Sequence, residues 1–144
     1  MFSKILTFGI GALALVQGAL AIAPGRYIIT NPEMGTLVSF RKGDPILLDR
    51  APLLPPLGQW TVNEIGQDVY TITNADASVY ANEDTLFTGD RFDIFFIQDA
   101  GNNEFVIRVP DSDHVWTAGN VDDARVHLNV DEGSNSQRWA LVPL

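Results

Sequence analysis

Cysteine is absent from all 144 residues. No disulfide can staple the fold, no thiolate can act as a nucleophile, and the cysteine frameworks that hold structural zinc are excluded. Histidine is scarce, with only His114 and His127. No Asn-x-Ser/Thr sequon occurs, so N-linked glycan is not expected. Positive charge is thin, at 9 Lys and Arg against 18 Asp and Glu. A phosphate backbone would be repelled, and nucleic acid is not an expected partner. Beyond the first 21 residues no apolar run is long enough to span a membrane. Amphipathic helix periodicity is missing there too, and no glycine-rich phosphate cradle follows a strand.

What is present begins with an export signal. Lys4 supplies the positive start, 5–16 is apolar, and Ala19-Leu20-Ala21 places small residues where signal peptidase reads them. A cut after Ala21 leaves residues 22–144 as one secreted domain, extracellular and free of the membrane. Losing Lys4 with the leader leaves 8 cations against 18 carboxylates. A domain of this size without disulfides must draw its stability from packing and topology.

The remaining chain reads as short strands rich in Val, Ile, Tyr, Phe and Thr, punctuated by Gly, Asn, Asp and Pro. Twelve are expected, at 25–30, 37–40, 45–48, 59–64, 69–73, 79–81, 86–88, 93–98, 104–109, 115–117, 125–130 and 138–142. They repeat. An aromatic stands two residues before an isoleucine at Tyr27/Ile29, Tyr70/Ile72 and Phe105/Ile107. A second aromatic stands two before an aliphatic at Trp60/Val62, Phe95/Ile97 and Trp139/Leu141. Residues two apart on a strand face the same side, so each is an inward-facing pair. One such unit of about 40 residues cannot bury its apolar face alone. Three closed about a pseudo-threefold axis can, and closure removes exposed sheet edges. The expected fold is all-β, a β-trefoil of three four-stranded units. Within the first unit, 51–58 is apolar but too proline-rich for a central strand. It reads as a stiff connection or an exposed docking loop.

Catalysis finds little support, and no cofactor or metal is expected. Ser112, His114 and Asp111 are the elements of a triad, but they crowd into one turn, where nucleophile and base cannot take their required orientations. Asp111-Ser-Asp-His114 lacks the spacing of a calcium loop and the ligands of a zinc site. Gln137-Arg-Trp139 matches the Gln-x-Trp element of ricin-type lectins. A sugar site also needs an Asp, a stacking aromatic and an Asn. The third unit offers Asp111, Trp116 and Asn120; the first two offer no matching set, Asn74, Asp76 and Tyr80 being the nearest equivalents in the second.

A family resemblance rests on Gly-x-Tyr-x-Ile-x-Asn from Gly25, Gln-Trp-x-Val from Gln59, Ile-Arg-Val-Pro-Asp-Ser-Asp-x-x-Trp over 107–116, Val-x-Leu from Val126 and Gln-Arg-Trp from Gln137. The chain resembles the mushroom β-trefoil serine protease inhibitors, which are related in architecture to the mycocypin cysteine protease inhibitors. Members of that family often lack an obvious export signal, and this chain departs from them there. The resemblance implies inhibition of a trypsin-like or subtilisin-like serine protease through an exposed surface loop, and the chain is expected to be a monomer. Three loops offer candidates. The loop between the second and third strands carries Arg41, Lys42 and Gly43, whose cations suit the acidic specificity pocket of a trypsin-like enzyme. Arg50 follows in Asp49-Arg-Ala-Pro52, and Asn135 lies in the last loop, with Arg91 as a weaker fourth. A lectin module, or a trefoil that binds another protein, stands as the alternative.

Overall fold

A computed structural model describes residues 22–50 and 57–144. The leader and the core of the proline-rich segment, 51–56, lie outside the described residues. Among the described residues there are twelve strands. Unit one holds β1 (Gly25–Asn31), β2 (Gly35–Val38), β3 (Leu47–Asp49) and β4 (Trp60–Gly66). Unit two holds β5 (Val69–Asn74), β6 (Ala77–Asn82), β7 (Thr85–Gly89) and β8 (Phe95–Gly101). Unit three holds β9 (Glu104–Arg108), β10 (His114–Ala118), β11 (Val126–Val130) and β12 (Ala140–Pro143). A single-turn 3-10 helix, Asn135–Gln137, precedes β12. Every expected strand is present, displaced by one to three residues at some ends.

Six strands close a barrel. β1 pairs with β4 and β12, β5 with β4 and β8, and β9 with β8. The ring shuts where Phe105 and Trp139 exchange backbone hydrogen bonds of 2.7 and 2.9 Å. Threefold equivalence is visible in the register. Tyr27 faces Trp60, Tyr70 faces Phe95 and Phe105 faces Trp139. Ile29 faces Leu141, Val62 faces Ile72 and Ile97 faces Ile107. All twelve side chains are buried, as the alternation in the sequence requires. The hairpins β2–β3, β6–β7 and β10–β11 form the cap of this β-trefoil. Tight turns link the barrel strands. At the β8–β9 hairpin, Asn102 and Asn103 both take positive φ, 56° and 61°, a pairing that type I′ turns require and asparagine tolerates.

The units differ where it matters for loops. Asn31 ends β1, buried, and donates from Nδ2 to the carbonyls of Asn135 and Arg138, both at 3.0 Å. Its equivalent Asn74 donates to the carbonyls of Leu57 and Gln59 at 3.1 and 2.9 Å. Each amide thus ties down the loop that leads into the next barrel strand. The third position is Val109, which has no such group, and a cavity of about 330 Å³ opens there, lined by Val109, Pro110, Asp93 and Ile94 among others. The centre of the cap is also asymmetric. Leu37, Val79 and Trp116 hold equivalent places, and Trp116 packs edge-on against Phe95 and Trp139 with ring centroids 5.2 and 6.1 Å away. One large ring with two aliphatics fills the axis, where three indoles would not fit.

Candidate functional site

The β2–β3 loop, residues 39–46, is tied to unit two along most of its length. Ser39, buried at its start, exchanges a 3.0 Å hydroxyl bond with buried Thr88 and donates its N–H to the Leu57 carbonyl at 3.0 Å. Gly43 N–H donates to the Thr88 carbonyl at 2.7 Å, and Ile46 N–H to the Leu86 carbonyl at 3.0 Å. Pro45 forms a bridge with Phe87. At the tip, Asp44 N–H donates back to the Arg41 carbonyl at 3.0 Å, closing a turn with Gly43 at φ 97°. A turn with positive φ at its third residue favours glycine there.

This frame separates the neighbouring cations. Lys42 points back along the protein, pairing closely with Asp90 and lying 3.9 Å from Asp76. The hydrogen bond that Lys42 donates to the Asp90 carboxylate holds its ammonium above the ordinary lysine value, with the charges of Asp90 and Asp76 acting in the same direction. Arg41 points out. Its side chain is 80% exposed, and its one ion pair is the local contact to Asp44 at 3.3 Å. Beside it Phe40 is half exposed. Sequence reading placed Phe40 at the end of a strand and gave Asp76, Asp90 and Thr88 no part in the loop. The alternation of β2 fails after Leu37: Leu37, Val38 and Ser39 are buried in succession. Nothing in a period-two pattern says that the next aromatic turns outward.

The other candidates are placed apart from this loop. Arg50 follows β3 and reaches the Met34 sulfur at 3.9 Å, lining a surface pocket of about 250 Å³ with Leu48, Asn120 and Val121. Asn135 sits in the 3-10 turn; its Nδ2 donates to Glu33 at 3.2 Å while its carbonyl accepts from Asn31. Arg91 lies over the Tyr80 ring at 4.5 Å and donates to the Ala81 carbonyl at 2.9 Å.

The sugar-site sets do not assemble. Trp116 is fully closed off from solvent, and its indole N–H is buried without a hydrogen-bond partner, so it is a core ring and no platform. In unit two Asn74 is built into its loop tie, Asp76 faces Lys42 and Tyr80 lies under Arg91. Gln137 of the Gln-x-Trp element is a core group. It donates to Thr117 Oγ1 and the Val130 carbonyl at 3.1 and 2.9 Å and accepts from Glu132 N–H. Nor do the triad elements form a relay. Ser112 and Asp113 both meet the same His114 nitrogen, Nδ1, at 3.1 Å. A relay needs one partner on each nitrogen.

No protein-family model matches the chain, and no curated protein does. Solved structures match it over most of its length. A designed threefold-symmetric protein, ThreeFoil, has TM-score 0.72 at 16% identity, covering 83% of this chain and 99% of its own. The ricin B-like lectin of Macrolepiota procera, solved with lactose, has TM-score 0.71 at 18% identity, covering 85% and 99%. A proteinase inhibitor from Coprinopsis cinerea has TM-score 0.64 at 17% identity, again covering 85% and 99%. At such identities the likeness is one of fold: this chain shares the β-trefoil with a fungal proteinase inhibitor and with ricin-B-like lectins.

Proposed function

We propose that this chain is an exported inhibitor of a trypsin-like serine endopeptidase, with the β2–β3 loop entering the active-site cleft and Arg41 entering the acidic specificity pocket. The observation that carries this reading is the pairing of exposed Phe40 and outward-pointing Arg41 on a loop bonded at both feet to the cap strand β7. Aromatic and arginine side chains dominate protein interfaces energetically. A loop held before binding loses little entropy on docking, so a small interface can bind tightly. Residues 39–41 lead into the cleft, and the closed turn after Arg41 disfavours the extended course that fast cleavage needs. Export fits the fold as well. A cut after Ala21 keeps buried Ile22, whose carbonyl accepts the buried Tyr70 hydroxyl at 2.9 Å. A cut two residues later would remove that partner.

Titration of trypsin with the purified protein tests the proposal. Residual activity is expected to fall to near zero at stoichiometric protein, and Arg41→Ala is expected to weaken inhibition by on the order of a hundredfold or more. Full protease activity in the presence of excess wild-type protein overturns it.

A further inference from the structure

We infer that Asp90, assisted by Asp76, is a positioning residue of the inhibitory loop: it holds Lys42, and with it the amine that a protease would liberate by cutting after Arg41, where the bond can re-form. The inference rests on the reading of Arg41 as the residue in the specificity pocket. Lys42 would then be the first residue on the leaving side, and it is the one loop side chain that reaches across to another unit by an ion pair. Its partners stand on separate connections of unit two, Asp76 between β5 and β6 and Asp90 just after β7. Their side chains are otherwise almost fully exposed, at 87% and 89%. Such exposed carboxylates contribute little to folding, and the ion pair each makes among the described residues is the one to Lys42.

The chemistry balances without any co-reactant. The protease serine oxygen adds to the Arg41 carbonyl, the Arg41–Lys42 C–N bond breaks, and the Lys42 nitrogen leaves as a free amine carrying the serine proton. In the reverse step that amine attacks the ester, the C–O bond breaks and the proton returns to serine. Water is the competitor, and it wins once the amine drifts away. Gly43 N–H on the Thr88 carbonyl holds the backbone just beyond the cut at 2.7 Å. Lys42 on Asp90 and Asp76 holds the residue at the cut itself. Fixing a reacting group in this way raises its effective concentration.

The test incubates the protein with a catalytic amount of trypsin until the ratio of intact to cleaved chain is constant, approached from intact and from pre-cleaved protein and read by mass spectrometry. Wild type is expected to reach a mixture dominated by the intact form from both sides. The double variant Asp76→Asn/Asp90→Asn, checked for an unchanged melting temperature, is expected to shift that ratio toward the cleaved form several-fold, up to about tenfold, as two surface ion pairs allow. Asp90→Glu alone is expected to stay near wild type. An unchanged ratio in the double variant, with inhibition intact, overturns the inference and leaves the reading of Arg41 standing. Wild-type protein that neither inhibits nor is cut at Arg41 overturns that reading, and the inference with it.

Discussion

At the scale of single residues, Asn31 carries more of the fold than any exposed charge. It is 1% exposed and engages four backbone groups: two carbonyls through Nδ2, and the N–H groups of Glu33 and Met34 through Oδ1 at 3.1 and 3.0 Å. Truncation would strand those groups in a nearly dry site, where each unmet bond is costly. Asn31→Ala is expected to lower the unfolding free energy by about 2–4 kcal/mol, read from the urea midpoint at an unchanged slope. A shift too small to measure would mean that water replaces the amide freely. The residue was legible in the sequence as the repeated Thr-Asn after Tyr-x-Ile, but its work was not. Its carbonyl partners lie more than 100 residues further along the chain, and one of them, Asn135, was singled out as a surface candidate instead. Trp116 gives the opposite lesson. Tryptophan in a turn-rich segment is ambiguous between core and platform until the other two units are seen to place Leu37 and Val79 at its position.

At the scale of elements, two hairpin loops share backbone ties to a neighbouring unit and differ in the charged groups added to them. The β2–β3 loop depends on backbone bonds to β7, with ion pairs added at its tip. The β10–β11 loop, 119–125, has backbone bonds too, Gly119 N–H to the Arg125 carbonyl at 2.9 Å and Leu48 N–H of β3 to the Ala124 carbonyl at 2.7 Å, and adds a charged cluster. Asp123 accepts from Arg125 Nε at 2.9 Å and meets His127 Nε2 at 2.8 Å, while His127 Nδ1 reaches Thr85 of unit two at 3.2 Å. The Arg125 hydrogen bond first, and the His127 contact second, hold the Asp123 carboxyl well below the usual carboxylate range. The unfolded chain therefore takes up that proton first as pH falls. The contribution of Asp123 is complete above pH about 4 and is lost progressively below it. Melting temperatures recorded from pH 7 to pH 2 should show wild type above Asp123→Asn at neutral pH, the gap narrowing in the acid limb. A gap independent of pH would place the role of Asp123 in its shape alone. Strands were the most legible elements, because inward pairs two apart leave a mark in sequence. Their ends were less so, since turns at Ala75 and Glu83 use positive φ at residues that do not announce it.

At the scale of the whole molecule, three incomplete copies of one pattern close on themselves, and the departures from symmetry make the loops differ. Unit two supplies Thr88, Asp90 and Asp76 to hold a loop of unit one, so the candidate site belongs to a junction and to no single repeat. That is why the sequence pointed to Arg41 and Lys42 together and did not separate them. A local window lists both cations, and only the neighbouring unit decides that one is tethered and the other free to project. The surrounding acidity, 18 carboxylates against 9 cations overall, sets Arg41 and exposed Phe40 in surroundings that favour partners with a basic rim.

Hydrogen–deuterium exchange of the protein, alone and bound to anhydrotrypsin, which lacks the serine nucleophile but keeps an open specificity pocket, addresses the central claim most directly, because it reports which backbone the protease covers. Slowed exchange confined to residues 39–44, with the supporting strand around Thr88 and Asp90, is the expected result. Protection centred on 119–128 or on 131–137, or no protection at saturating protease, would contradict the account.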